Sequence, residues 1–232
     1  MPFLPVGFPN ICDRLPNLLL MLICLGEGLW IIAYILIIRQ GFQERSYGVP
    51  LTAIALNYTW EFLYAFVWPP SCWVLCWLRY GWFLLDSIIV VQLFLYGRKE
   101  QNIPDLRNNF VACVISVFLL AGVGHWTFHH TFGDVTGEKA AYIINFVMSI
   151  LFVLTASTRP DAHGLSYGAA WVKMVGTAVL ALLSALSFSS KPLKTQSFMI
   201  YLFVSIFLID ILYIYVLGKK LHHPSQLPAT AQ

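Results

Sequence analysis

The chain has 232 residues, of which 59% are hydrophobic and only 11% charged, with a mean hydropathy of +0.73. A soluble domain carries about 25% charged residues, so this composition excludes one and indicates an integral membrane protein. The formal net charge of +3 is spread over connecting segments and ends, which reads as membrane topology and excludes a nucleic-acid-binding surface.

Apolar runs of about 20 residues, the length that crosses hydrocarbon as a helix, fall at 18–39, 50–70, 72–97, 109–129, 141–158, 167–190 and 197–218. The expected fold is an all-α integral membrane bundle of seven transmembrane helices, a single domain over residues 1–232. The first run is longer than a signal-peptide core and has no cleavage site after it, so it is expected to remain as a span. Only Pro69, Pro70 and Ser71 separate the second run from the third. The connections are short, so any function must be built between helices. The tail after Gly218, with His222, His223, Pro224 and Pro228, reads as a disordered end.

Lys and Arg placement predicts the orientation. Arg39, Arg45, Arg98, Lys99, Arg107, Arg159, Lys219 and Lys220 fall on one side. Arg14, Lys139, Lys191 and Lys194 fall on the other, while Arg79 and Lys173 lie within spans. The N-terminus is therefore expected outside or in the lumen, with the endoplasmic reticulum the expected membrane, and the C-terminus in the cytosol. Lys173 is expected to snorkel toward the cytosolic interface. The five cysteines sit mostly within or at the edges of spans and show no disulfide or zinc spacing; Cys72 and Cys76 read as small apolar packing.

Four carboxylates fall inside the spans: Glu27, Glu61, Asp86 and Asp210. An ionisable side chain at membrane depth is costly, and each marks a candidate functional site. Glu61 and Asp210 have no basic residue nearby on their own helices, whereas Arg79 precedes Asp86 by two turns. A carboxylic acid in a water-poor cavity favours its neutral form and can give a proton to a weakly basic oxygen or an alkene. Two such acids could share one proton. Helical spacing sets Asn57, Glu61 and Tyr64 on one face with Trp60 beside them, and Glu27, Trp30, Ile31 and Tyr34 on another. Phe203, Phe207, Asp210 and Tyr213 form a third face. Aromatic faces stabilise cations, so Trp30, Asn57, Trp60, Tyr64, Phe207, Tyr213, Glu27 and Asp86 are candidate substrate-binding residues.

Absent motifs narrow the chemistry. No DDxxD or NSE-type cluster is present to hold magnesium and a diphosphate, and there is no P-loop, G-x-S-x-G or G-x-G-x-x-G. His125, His129 and His130 are too few for a di-iron histidine-box site and read as a loop-end polar cluster bordering the cavity mouth. No metal and no cofactor is expected. Seven spans in this length also fit a proton-coupled small-solute transporter, although no Pro-Gln dipeptide and no match between the first and last three spans is evident. A non-catalytic scaffold is a third alternative, but scaffolding gives no reason for buried acids.

The stretch Tyr47-Gly48-Val49-Pro50-Leu51 leading to Asn57-Tyr58-Thr59-Trp60-Glu61-Phe62-Leu63-Tyr64, with Asp210 in the last span, resembles a known family. These are the small membrane-bound terpene cyclases of fungal meroterpenoid and indole-diterpene biosynthesis, of the pyripyropene, terretonin, andrastin and paxilline type. The resemblance covers essentially the whole chain. It implies a non-ionising, protonation-initiated cyclase of isomerase or lyase type. Such an enzyme protonates the terminal epoxide of a prenylated, here farnesylated, polyketide-type substrate and closes the polyene into fused rings through a carbocation. It also implies catalytic roles for Glu61 and Asp210. The partners it implies are a lipophilic epoxy-prenyl substrate and the bilayer.

Overall fold

Proline decides where the second apolar run starts and stops. The computed structural model describes residues 17–101, 103–186 and 193–222. In it, helix α2 (Leu51–Phe62) begins directly after Pro50, whose φ of −55° suits a helix start. The helix then widens into a π-helical turn, Leu63–Val67, closed by a bond from Trp68 N–H to the Leu63 carbonyl of 2.8 Å. Pro69 and Pro70 cannot continue it. Such π turns are rare and often sit at functional sites; this one begins two residues after Glu61.

The remaining helices are α1 (Asn17–Glu44), α3 (Trp73–Glu100), α4 (Pro104–Asn108), α5 (Phe110–Phe132), α6 (Glu138–Thr158), α7 (Tyr167–Leu186) and α8 (Leu193–His222). No strand occurs among the described residues. Six of these helices, α1, α3, α5, α6, α7 and α8, are long and apolar enough to cross a membrane. The α2–π segment lies between the first two of them in the chain, and the five-residue α4 is a connector. Several helices extend past the expected boundaries: α1 continues to Glu44, and α8 runs through Gly218 to His222, so the expected disordered tail begins as helix. Residues 187–190 of the expected sixth span, Cys12, Arg14, Lys191 and the tail from His223 lie outside the described residues.

Two polar knots tie the ends of the bundle. On one side Arg159 bonds the Glu100 carboxylate at 3.0 Å and the Tyr47 carbonyl at 3.1 Å, while Lys220 donates to the Arg159 carbonyl. On the other, the turn between α5 and α6 is built on left-handed Gly133 and Gly137, with φ of +57° and +76°. Its Asp134 carboxylate accepts from the backbone N–H groups of Lys139 and Ala140 at 3.2 and 2.9 Å, satisfying donors at the start of α6. The α1 and α7 helices pack face to face through Gly26 and Gly176: a Cβ on Gly176 would stand 3.2 Å from the Gly26 carbonyl. This contact brings together two helices that are far apart in sequence.

Candidate active site

Glu61 is 1% exposed and is held by two neighbours from two helices. The Tyr34 hydroxyl on α1 donates to Glu61 Oε1 at 2.9 Å, and the Asn57 amide, one turn earlier on α2, reaches the same oxygen at 2.9 Å. The same amide nitrogen also lies 2.8 Å from Asp86 Oδ2 on α3 and 2.6 Å from the Tyr34 oxygen. Asn57 thus joins two acids. Asp86 is fully buried, and the two carboxyls are within hydrogen-bonding reach of one another. Glu61 Oε2 and Asp86 Oδ1 have no donor among the described residues. Buried polar atoms are normally satisfied, so these two orphan oxygens call for a proton on the carboxyl pair.

Glu61 stands on the wall of a cavity of about 420 Å³ enclosed by α1, α2, α3, α6 and α7. Pockets for small molecules are commonly of this order and mostly apolar. Its rings are fixed by their polar edges. Trp60 Nε1 donates to the Gly137 carbonyl at 3.1 Å and Trp82 Nε1 to the Glu27 carbonyl at 3.2 Å, with the two indoles 6.4 Å apart. Trp30 also lines it, tilted on Tyr34 at 5.9 Å. Rings held in this way offer π-faces to any cation formed between them. Arg79 lies over the Trp60 and Tyr64 rings and donates to the carbonyls of Tyr64 and Thr136, both at 3.0 Å. The first of those carbonyls belongs to the π turn.

Asp210 has a different setting from the one its chain neighbours suggested. Lys173 does not snorkel. Its ammonium is buried and bonds Asp210 Oδ1 and Oδ2 at 2.7 and 2.8 Å and Ser149 Oγ at 2.8 Å. The two acids expected to stand unpaired thus each have a partner, Asp86 for Glu61 and Lys173 for Asp210. Asp210 lines neither this cavity nor a second void of about 20 Å³ next to it. Lys173 does line that void, as do Asp86, Tyr34, Asn57 and Tyr213, and its ammonium sits 5.7 Å from the Trp30 ring.

The other expected residues divide by position. Glu27, Trp30, Asn57 and Trp60 line the main cavity, and Asp86 and Tyr213 the small void. Tyr64 is fully buried behind Trp60, where its hydroxyl donates to the Asp134 carbonyl at 2.8 Å. Phe207 points outward and is 43% exposed. The histidines lie within α5 and none lines either cavity: His125 Nε2 meets the Leu56 carbonyl at 2.9 Å, and His129 stacks on Trp68 at 3.7 Å. Among the described residues no group of three or more His, Cys, Asp or Glu is placed to hold a metal ion. Cys72 is disulfide-bonded, against the packing role expected for it, while Cys76 is a buried free thiol. Sequence reasoning gave no site role to Trp82, Asn145 or Thr177, placed Tyr34 only on the Glu27 face and Arg79 only near Asp86, and read Lys173 as snorkelling.

The fold and site define a multi-pass helical membrane protein with buried carboxyls at one wall of an aromatic cavity. Residues 9–220 match the model of the Pyr4-like transmembrane terpene cyclases, and the chain belongs to that family. Its relatives include the Pyr4-family terpene cyclase mfmH of Annulohypoxylon moriforme, 28% identical over 215 residues that cover 86% of each chain. The terpene cyclase ascF of Acremonium egyptiacum is 25% identical over 66% of this chain and 62% of its own. The terpene cyclase macJ of Penicillium terrestre is 28% identical over 66% and 61%. No solved structure matches the chain. Membership places the protein among membrane-embedded cyclase enzymes.

Proposed function

We propose that this protein protonates the terminal epoxide of a farnesylated polyketide-type substrate and so starts a carbocationic polyene cyclisation. The observation that carries this reading is the Glu61–Asp86 carboxyl pair, joined by Asn57 at the wall of the indole-lined cavity. One proton held between the carboxyls gives Glu61 a hydrogen to deliver, as in other paired-acid sites. The epoxide oxygen takes that proton, its C–O bond breaks as the neighbouring alkene attacks, and each further alkene closes another ring. Loss of a proton from the last cation forms an alkene, so the net change is an isomerisation. Trp30, Trp60 and Trp82 face the migrating charge.

Asp210, the second acid that the family resemblance implies, acts through Lys173. It fixes the ammonium at the water-sized void that Asp86 also lines, so it is a positioning residue. A void of this size between polar walls suits a single bridging water.

The α2–π segment is the seventh span in this reading. The N-terminus faces the lumen of the endoplasmic reticulum and the C-terminus the cytosol. The test is product analysis in microsomes fed an epoxyfarnesylated aromatic ester, with wild type beside Glu61→Gln. Cyclised product from the wild type and almost none from the variant supports the reading. Undiminished product from Glu61→Gln overturns it. Conversion in permeabilised membranes separates a cyclase from a transporter, which needs a sealed compartment and leaves its solute unchanged.

A further inference from the structure

The polar residues of the cavity repeat at one spacing on four helices. Glu27 and Tyr34 are seven residues apart on α1, as are Arg79 and Asp86 on α3. Glu138 and Asn145 repeat the interval on α6, and Thr177 and Ser184 on α7. Seven residues are about two turns and about 10 Å of rise, which returns side chains to the same face. Because neighbouring spans run in opposite directions, these pairs form two tiers. The outer tier, near the turn between α5 and α6, holds Glu27, Arg79, Glu138 and Ser184. The inner tier holds Tyr34, Asp86, Asn145 and Thr177, with Glu61 beside them.

Hydrogen bonds follow the tiers. Ser184 donates to Glu138 in the outer one, and Asn145 Nδ2 donates to Thr177 Oγ1 at 3.0 Å in the inner one. Between the tiers the wall is Trp30, Trp60 and Trp82. The cavity therefore has an acid end, an aromatic middle and a second polar end that the proton chemistry does not use.

We infer that the outer tier is a binding subsite for the oxygenated head group of the substrate, and that the substrate enters tail first. This rests on the cyclase reading above. Arg79 uses two of its five N–H donors on the carbonyls of Tyr64 and Thr136, leaving donors for a carbonyl or phenolate oxygen. The Glu27 carboxyl has no hydrogen-bond partner among the described residues and lines the same cavity, so it can accept from a ring hydroxyl. A head group that alternates hydroxyl and carbonyl oxygens, as a polyketide-type ring does, matches this alternation of acid and guanidinium. The prenyl chain then runs inward past the indoles, and its epoxide reaches Glu61. The interval between tiers makes the cavity a ruler for the folded chain.

Two substrates separate head recognition from chemistry: a terminal farnesyl epoxide ether-linked to a hydroxylated aromatic ester, and the same epoxide capped as a methyl ether. Glu27→Gln and Arg79→Gln are compared with wild type on both. The expected result is a loss of about 10- to 100-fold in kcat/KM for the ring-bearing epoxide, carried by KM, as for removal of a hydrogen bond to a charged group. The methyl ether, which cannot engage the subsite, loses at least tenfold less than the ring-bearing epoxide with Glu27→Gln. Equal losses on the two substrates, or no loss on the ring-bearing one with either variant, overturn the subsite. Arg79 also holds backbone carbonyls, so Glu27→Gln, which removes only a charge interaction with Arg79 and no hydrogen bond among the described residues, decides the matter if Arg79→Gln does not fold. Should wild type convert neither epoxide, the cyclase reading fails on its own. The subsite is then tested by equilibrium binding of the unreactive alkene analogue of the ring-bearing substrate: tenfold weaker binding to Glu27→Gln upholds it, and equal binding overturns it.

Discussion

Replacing Asp210 by Asn leaves the Lys173 ammonium without its counter-ion in a site where the two side chains are only 5% and 2% exposed. The wild-type ammonium spends its three donors on Asp210 Oδ1, Asp210 Oδ2 and Ser149 Oγ, all within 2.8 Å. Removing one partner of a buried pair costs about 3–5 kcal/mol, because the remaining charge stays desolvated. At about 2–4 °C per kcal/mol for a chain of this size, Asp210→Asn should lower the melting temperature by about 6–20 °C. The double variant Lys173→Met/Asp210→Leu removes both charges and fills the space with apolar atoms, which is commonly neutral or stabilising. It should melt near the wild type. The assay is thermal unfolding of detergent-solubilised protein followed by fluorescence-detected size exclusion. Wild-type stability in Asp210→Asn, or a double variant as damaged as the single one, would refute the ion-pair reasoning. Turnover gives the second readout. A stable double variant that still loses most of its cyclisation shows that the pair serves the site, whereas full activity confines it to folding.

Glu61→Gln keeps the shape of the side chain and removes the acid, so cyclised product measured by mass spectrometry should fall by about two to four orders of magnitude with little change in melting temperature. Asn57→Leu removes the amide that reaches both Glu61 and Asp86; turnover should drop at least tenfold in the same assay, and an unaffected rate would deny it that linking role. Gly137→Ala places a methyl 2.9 Å from the Trp60 and Tyr64 rings at a φ of +76°. Left-handed strain of about 1–2 kcal/mol and overpacking of about 1–3 kcal/mol should together lower the melting temperature by at least about 4 °C. Asn145 Oδ1 is a buried acceptor with no donor among the described residues, at the tier where epoxide opening creates a hydroxyl. Asn145→Leu should reduce turnover of both test substrates alike, in contrast to Glu27→Gln.

The helical class, the position of each long apolar run and the burial of Glu61 were legible because they depend on one-dimensional properties. A run of apolar residues long enough to cross hydrocarbon must hydrogen-bond its own backbone, and the helix follows. Pro50, Pro69 and Pro70 mark the ends of the second run because their rings forbid anything else. An acid at membrane depth is costly wherever its helix packs, so burial of Glu61, Asp86 and Asp210 could be anticipated. The family could be read from the chain as well, since the stretch around Glu61 carries it.

Partnership could not be read in this way. Which acid meets which cation depends on the order and rotation of helices in space, and the interval between residues in the chain does not encode either. Lys173 has the depth of a snorkelling lysine, but α7 turns that face toward α6 and α8, where Ser149 and Asp210 wait. Asp86 has the two-turn spacing of an Arg79 partner, yet Arg79 turns to backbone carbonyls while Asp86 turns to Asn57 and Glu61. Phe207 shares its helix with Asp210 and still faces outward. The sequence determined that several acids would be buried in a helical membrane bundle. Tertiary packing alone decided that Glu61 would pair with Asp86 and Asp210 with Lys173, because only packing sets the few ångströms over which a proton or a charge is shared.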